Sequence, residues 1–171
     1  FSYEKLNTRN GIIFIKGDNI MYRNFSTLPA MCKLFEGIPS GKINDLFTQL
    51  MVREVELKKG EMLFQPGTKI TDFAVIISGR LSTSSYDADG HRKIIEMVEP
   101  METVGISLAV AEIQSVAISV EARQDSDIIL FNAAKILNPV GKASEEHIRL
   151  LRNITKELAR ITEMNIEDIE K

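Results

Sequence analysis

The chain has 171 residues, 44% hydrophobic and 26% charged, enough for one domain with a real core and an appendage. Its net charge is −3 and its pI about 5.5, which argues against nucleic-acid binding through a broad basic face of this chain. The single cysteine, Cys32, excludes an intrachain disulfide and a four-cysteine zinc or iron–sulfur site within one chain, and it fits a reducing cytoplasm.

No apolar run reaches the roughly 18 residues of a membrane span, so no membrane partner is expected. The run from Gly11 to Ile15 is broken by Lys16 and Gly17, with Asp18 behind, and is not a signal sequence. The first residue is Phe1 rather than Met, as in a fragment. Residues 1–30 form an N-terminal arm without an assigned structure; the 12–15 run suits a strand or an appended arm.

Beyond it, Leu34-Phe35-Glu36-Gly37-Ile38-Pro39-Ser40 reads as a loop whose Ser40 can cap a helix. Ile43, Leu46, Phe47 and Leu50 follow at helical spacing and predict an amphipathic helix over 42–51. From Val52 to Phe131 short β-rich runs alternate with turns. Strands are expected around 55–57, 62–64, 73–81, 82–86, 92–98, 116–120 and 127–131, with Asp87-Ala88-Asp89-Gly90 as a hairpin turn. Six to eight such strands favour a sandwich or barrel over a parallel sheet.

Ala133–Leu137 reads as a short helix broken by Asn138-Pro139. Ser144, Glu145 and Glu146 then open a long helix running to about Ile169 without Gly or Pro. Its seam, Leu151, Ile154, Leu158 and Ile161, is spaced 3, 4, 3, with Asn165 at the next a position and Asp168 at the following d. Two readings stay open: the seam packs on the chain's own barrel, or it pairs two protomers.

Leu34-Phe35-x-Gly37-Ile38, Lys59-Gly60-Glu61-x-Leu63-Phe64-x-x-Gly67, Ile77-x-Gly79, Asp89-Gly90, Val104-Gly105 and Glu157-Leu158-Ala159-Arg160 together carry a resemblance. Over roughly residues 28–171 the chain resembles the sensor half of the Crp/Fnr family of bacterial transcription regulators. The resemblance implies a mainly β fold with flanking helices: a jelly-roll (double-stranded β-helix) barrel of cyclic-nucleotide-binding-domain type, then a long C-terminal dimerisation helix. The expected division is the arm at 1–30, a β-roll with a leading short helix at 31–140, and the long helix at 141–171. It further implies a homodimer through Leu151, Ile154, Leu158, Ile161 and Asn165, and an effector held between barrel and helix. DNA would be contacted only through a helix-turn-helix domain beyond Lys171.

Family members that bind a cyclic nucleotide follow the strand-end glycine with a Glu for the ribose hydroxyl, and use an Arg-Ser or similar pair for the phosphate. Here Gly105 is followed by Ile106, and Val116-Ala117 stand at the Arg-Ser position; a one-residue shift offers Ser115 but no cation. A buried phosphate charge needs compensation, so cyclic AMP or cyclic GMP bound in that way is not expected. The expected pocket is Gly105, Ile106, Ser107, Leu108, Gln114, Ser115, Val116 and Ala117, with Thr162 and Asn165 reaching in from the long helix. Such a lining suits a neutral or aromatic small molecule; alternatively side chains fill it.

No catalytic, metal or cofactor site is expected. His91 and His147 read as solvated surface residues, too few for a cupin metal site. Ser78, Ser82, Ser84 and Ser85 have no His partner implied by spacing. Asp87 and Asp89 belong to the hairpin, and Arg149, Arg152, Lys156 and Arg160 to a solvated helix face. The same barrel could serve a stand-alone ligand-binding or interaction module that never contacts DNA.

Overall fold

A computed structural model describes the backbone of residues 4–8, 11–16, 19–22 and 25–169, and the side chains of residues 25–166. Strands β1 (Glu4–Thr8), β2 (Gly11–Lys16) and β3 (Asn19–Tyr22) form an antiparallel meander, with Ile13 opposite Leu6 on one side and Tyr22 on the other. The 12–15 run is therefore a central strand. Then come a 3₁₀ turn at Phe25–Thr27, α1 (Leu28–Met31), a second 3₁₀ turn at Lys33–Phe35, a third at Ser40–Lys42, and α2 (Ile43–Gln49). Phe25 and Leu28 are buried, so the core reaches back ahead of residue 31. Ser40 does not cap α2; it opens the 3₁₀ turn, and Lys42 occupies the cap position without a side-chain bond.

The β-roll consists of β4 (Arg53–Leu57), β5 (Met62–Phe64), β6 (Asp72–Ser78), β7 (Leu81–Tyr86), β8 (Arg92–Val98), β9 (Thr103–Val104), β10 (Ile118–Ala122) and β11 (Ser126–Asn132). They form two four-stranded antiparallel sheets, ordered β5-β10-β7-β8 and β4-β11-β6-β9. The second sheet is covered on both faces. Ala74, Ile76, Ile128 and Leu130 fill the roll interior, while Phe73, Val75, Ile129 and Phe131 face the helices. This is why β6 and β11 read as nearly continuous apolar runs.

In the first sheet Leu81, Val120 and Ala122 point inward, and Ser82, Ser84, Ser119 and Glu121 share the outer face. The serines are buried because Arg92 lies over them. Its Nε donates to Ser84 Oγ at 2.9 Å and its Nη1 pairs with Glu121 at 2.6 Å. They are structural residues of a covered sheet face. Strand β10 starts two residues later than the 116–120 run because Val116 is already engaged. It accepts from Gly67 N–H and donates to Thr68 O, and the ladder to β7 begins at Ile118.

Asn132 caps α4 (Ala133–Leu137) by accepting from Lys135 N–H, and α5 (Glu145–Ile169) follows. Ser144 Oγ accepts from His147 N–H at 3.2 Å, the expected N-cap. Leu150 and Ile154 sit in the chain's own core, and Leu151, Leu158 and Ile161 pack partly against it. Ile154, of the expected dimer seam, is only 3% exposed and is buried in the chain's own core. His147 also departs from its surface assignment. It is buried, with Nε2 donating to Ile136 O at 2.6 Å, which ties α5 to α4.

Asn153 fastens α5 to the N-terminal segment. Its buried Nδ2 donates to the carbonyls of Leu34 and Glu36, both at 2.9 Å. Asn153→Ala strips both carbonyls of their donor and is expected to cost about 1–3 kcal/mol in urea unfolding. A loss within about 0.5 kcal/mol, the range of neutral surface changes, would show that the clamp carries no weight.

Candidate functional site

A cavity of about 600 Å³ lies between the roll and α5, within the range of small-molecule sites. Three stretches remote in sequence wall it: Met31–Leu34, the segment from Glu96 to Ser107, and Glu157, Arg160, Ile161, Met164 and Asn165 of α5. The β6–β9 pairing, with Ala74 opposite Val104 and Val75 opposite Thr103, sets the second stretch under the helix. Gly105 then turns the chain into α3 (Ile106–Val110) with φ of +80°, a conformation favouring glycine. A Cβ there would also meet the Phe64 ring at 2.8 Å.

The charges come from both sides. Arg160 makes a bidentate pair with Glu157, Nε to Oε2 at 3.0 Å and Nη2 to Oε1 at 2.7 Å. Thr103 Oγ1 donates to the same carboxylate at 3.3 Å, joining roll and helix. The Arg160 hydrogen bonds hold the Glu157 carboxyl below the usual range, against an opposing effect of burial. Glu157 in turn raises the Arg160 guanidinium, with smaller contributions from Glu102 and Glu96. Glu96, across the cavity, has its carboxyl pushed up mainly by burial; its Thr83 hydroxyl contact is long, at 3.5 Å. Cys32 donates its S–H to Met101 O at 3.3 Å, and burial lifts its thiol to about 11, which favours the protonated form at neutral pH.

Of the expected pocket residues, Gly105, Ile106, Ser107 and Asn165 line the cavity. Leu108, Gln114, Ser115, Val116, Ala117 and Thr162 do not. Val116 is buried in the core, while Gln114, Ser115 and Ala117 are exposed beyond α3, where Gln114 Nε2 bonds Glu112 O. Thr162 is exposed and donates back to Leu158 O, because the helix turns that face away. The expected neutral lining is corrected too: Glu96, Glu102, Glu157, Lys33 and Arg160 are all present. Arg160 belongs to the cavity wall and not simply to a solvated face. Its sequence signals were the Glu157-Leu158-Ala159-Arg160 segment of the resemblance and the spacing from Glu157, which reads equally well as a surface i,i+3 pair.

A family model described as "Cyclic nucleotide-binding domain" matches residues 54–140, about half of the chain. The chain belongs to the cyclic nucleotide-binding domain family. Patatin-like phospholipase domain-containing protein 7 of Mus musculus is 28% identical over 114 residues, 63% of this chain and 8% of that protein. The chain thus spans under a tenth of the length of this curated relative. Among solved structures, the sensor domain of the transcriptional regulator DNR from Pseudomonas aeruginosa superposes with a TM-score of 0.63 at 18% identity, covering 87% of this chain and 96% of that one. The N-terminal domain of a transcriptional regulator from Streptomyces coelicolor A3(2) does so with a TM-score of 0.61 at 18% identity, covering 80% and 94%. These likenesses establish the jelly-roll with its long C-terminal helix. In this chain Ile106 is buried at 2% exposure and Val116 at 5%, and both side chains are apolar.

Proposed function

We propose that this chain is the effector-sensing and dimerisation part of a cytoplasmic bacterial transcription regulator of Crp/Fnr type, without catalytic chemistry of its own. Its effector is a small molecule other than cyclic AMP, held in the cavity between roll and α5. DNA is contacted through a separate domain. The observation that carries this reading is the cavity's construction: its walls bring Gly105, Ile106 and Ser107 together with Arg160, Ile161, Met164 and Asn165 of α5. A ligand with unequal affinity for two helix positions shifts their populations, and this domain needs no other coupling device.

Dimerisation falls to the end of α5, where Met164 at the cavity rim and Ile166 beyond it are each 51% exposed. Light scattering at micromolar concentration should give twice the 19.2 kDa chain mass, and Ile166→Glu should halve it while the circular dichroism stays unchanged. A monomeric unmodified chain would remove the helix-pairing part.

The phospholipase relative favours a second reading, a cyclic-nucleotide-binding-type module that serves a larger enzyme and contacts no DNA. The coding sequence past Lys171 separates the two: a helix-turn-helix pattern supports the first.

A further inference from the structure

The cavity departs most from a nucleotide site in the sign of its lining. Glu96, Glu102 and Glu157 face Lys33 and Arg160, and Arg160 is already closed by two bonds to Glu157. An entering anion finds Arg160 already held by Glu157 and meets two further carboxylates, with Lys33 as the other cation of the lining. Separating a partly buried pair leaves both charges under-compensated, at a cost an anionic ligand has to overcome.

A cation meets the opposite situation. Glu96 has no ion-pair partner among the described residues, and its carboxylate takes only a long contact from Thr83 Oγ1, at 3.5 Å. Glu102 spends one oxygen on Glu99 N–H at 2.8 Å and keeps the other. Beside the polar Thr103, Ser107 and Asn165, the wall carries Met31, Met97, Met101 and Met164, four of the seven methionines in the chain. Unbranched thioethers adapt to irregular apolar bodies.

A bare metal ion does not fit this description. Among the described residues, the one trio of His, Cys or carboxylate groups close enough to share an ion is Asp87, Asp89 and His91, on the exposed β7–β8 hairpin. The cavity carboxylates are too dispersed for that and surround a volume suited to an organic molecule.

We propose, resting on the effector reading above, that the cavity takes an amphipathic organic cation. Its ammonium group pairs with Glu96 and Glu102, and its apolar body lies among the methionines. The Arg160–Glu157 pair stays closed and screens the site against anions.

Matched pairs that differ only in charge test this on the full chain by thermal shift: tryptamine against indole-3-acetate, hexylamine against hexanoate, with cyclic AMP alongside. Each amine is expected to raise Tm more than its carboxylate twin, because binding to the native state must stabilise it. Glu96→Gln, a polar replacement at an exposed strand position, should keep the fold and weaken the amine about tenfold or more, the scale of one charge-assisted bond. A carboxylate or cyclic AMP that stabilises as well as the amines overturns the cationic class and leaves the effector reading intact. An amine effect that survives Glu96→Gln also overturns it. If no compound of either charge stabilises a folded dimer, both readings fall.

Discussion

Phe131→Ala is expected to remove about 3–5 kcal/mol of stability, a large share of the 5–15 kcal/mol typical of a domain. Phe131 is 1% exposed on the helix-facing side of β11. Its ring stacks on Phe73 at 5.3 Å, meets Phe47 edge-on at 5.2 Å and lies 5.6 Å from Phe35. Phe25 extends the cluster through Phe47, at 5.1 Å. Truncation leaves a cavity that β-sheet on one side and helices on the other cannot collapse to fill, so transfer and void terms add. Phe131→Leu keeps most of the volume and should cost less than about 1.5 kcal/mol beyond the lost ring contacts. Urea melts with an unchanged slope would confirm the effect; a loss below about 1.5 kcal/mol for the alanine variant would show that the cluster repacks. The cluster also backs the cavity, because Phe35 follows directly on its Met31–Leu34 wall.

Gly79→Ala should be nearly as severe, about 2–4 kcal/mol, for a different reason. Gly79 has φ of +91°, and an added Cβ would fall 2.1 Å from Ser126 Oγ and 2.6 Å from Ser126 Cα. The second contact is backbone and cannot rotate away. Ser126 is itself pinned, accepting from Arg80 N–H at 3.1 Å and donating to Gln124 O at 2.8 Å. Gly90→Ala is the control. Its φ is +81° but nothing lies within 4 Å of the added carbon, so it carries only the left-handed backbone cost of about 1–2 kcal/mol. Equal losses at the two sites would refute the steric account.

Much of this fold can be read locally. The apolar runs of β6 and β11, the Asp87–Gly90 turn, the Asn138-Pro139 break and the Ser144 cap are each written in a few neighbouring residues. The turn forms as expected, with Asp87 N–H bonded to His91 O and Asp87 Oδ1 accepting from Asp89 N–H. Their physics is short-range: backbone preference, period and capping act within one or two turns of chain. The apolar side chains of Ile106 and Val116, where a Glu and an Arg are expected from the resemblance, were equally legible.

The site itself was not legible in the same way. Its three walls lie in different parts of the chain, and periodicity assigns a residue to a face without naming what that face meets. Thus Leu150 and Asn153, unmarked in the heptad seam, are buried, while Asn165 lines the cavity. His147 could be solvated or buried until α4 brought the Ile136 carbonyl to it. Sequence alone determined the run of short strands and the long helix behind it, because both rest on residue type and local order, and the family resemblance implied the jelly-roll. Only the tertiary structure decided that Arg160 closes on Glu157 and that Glu96 faces the same space. Charges interact through distance, and that distance is set by how the roll and α5 pack.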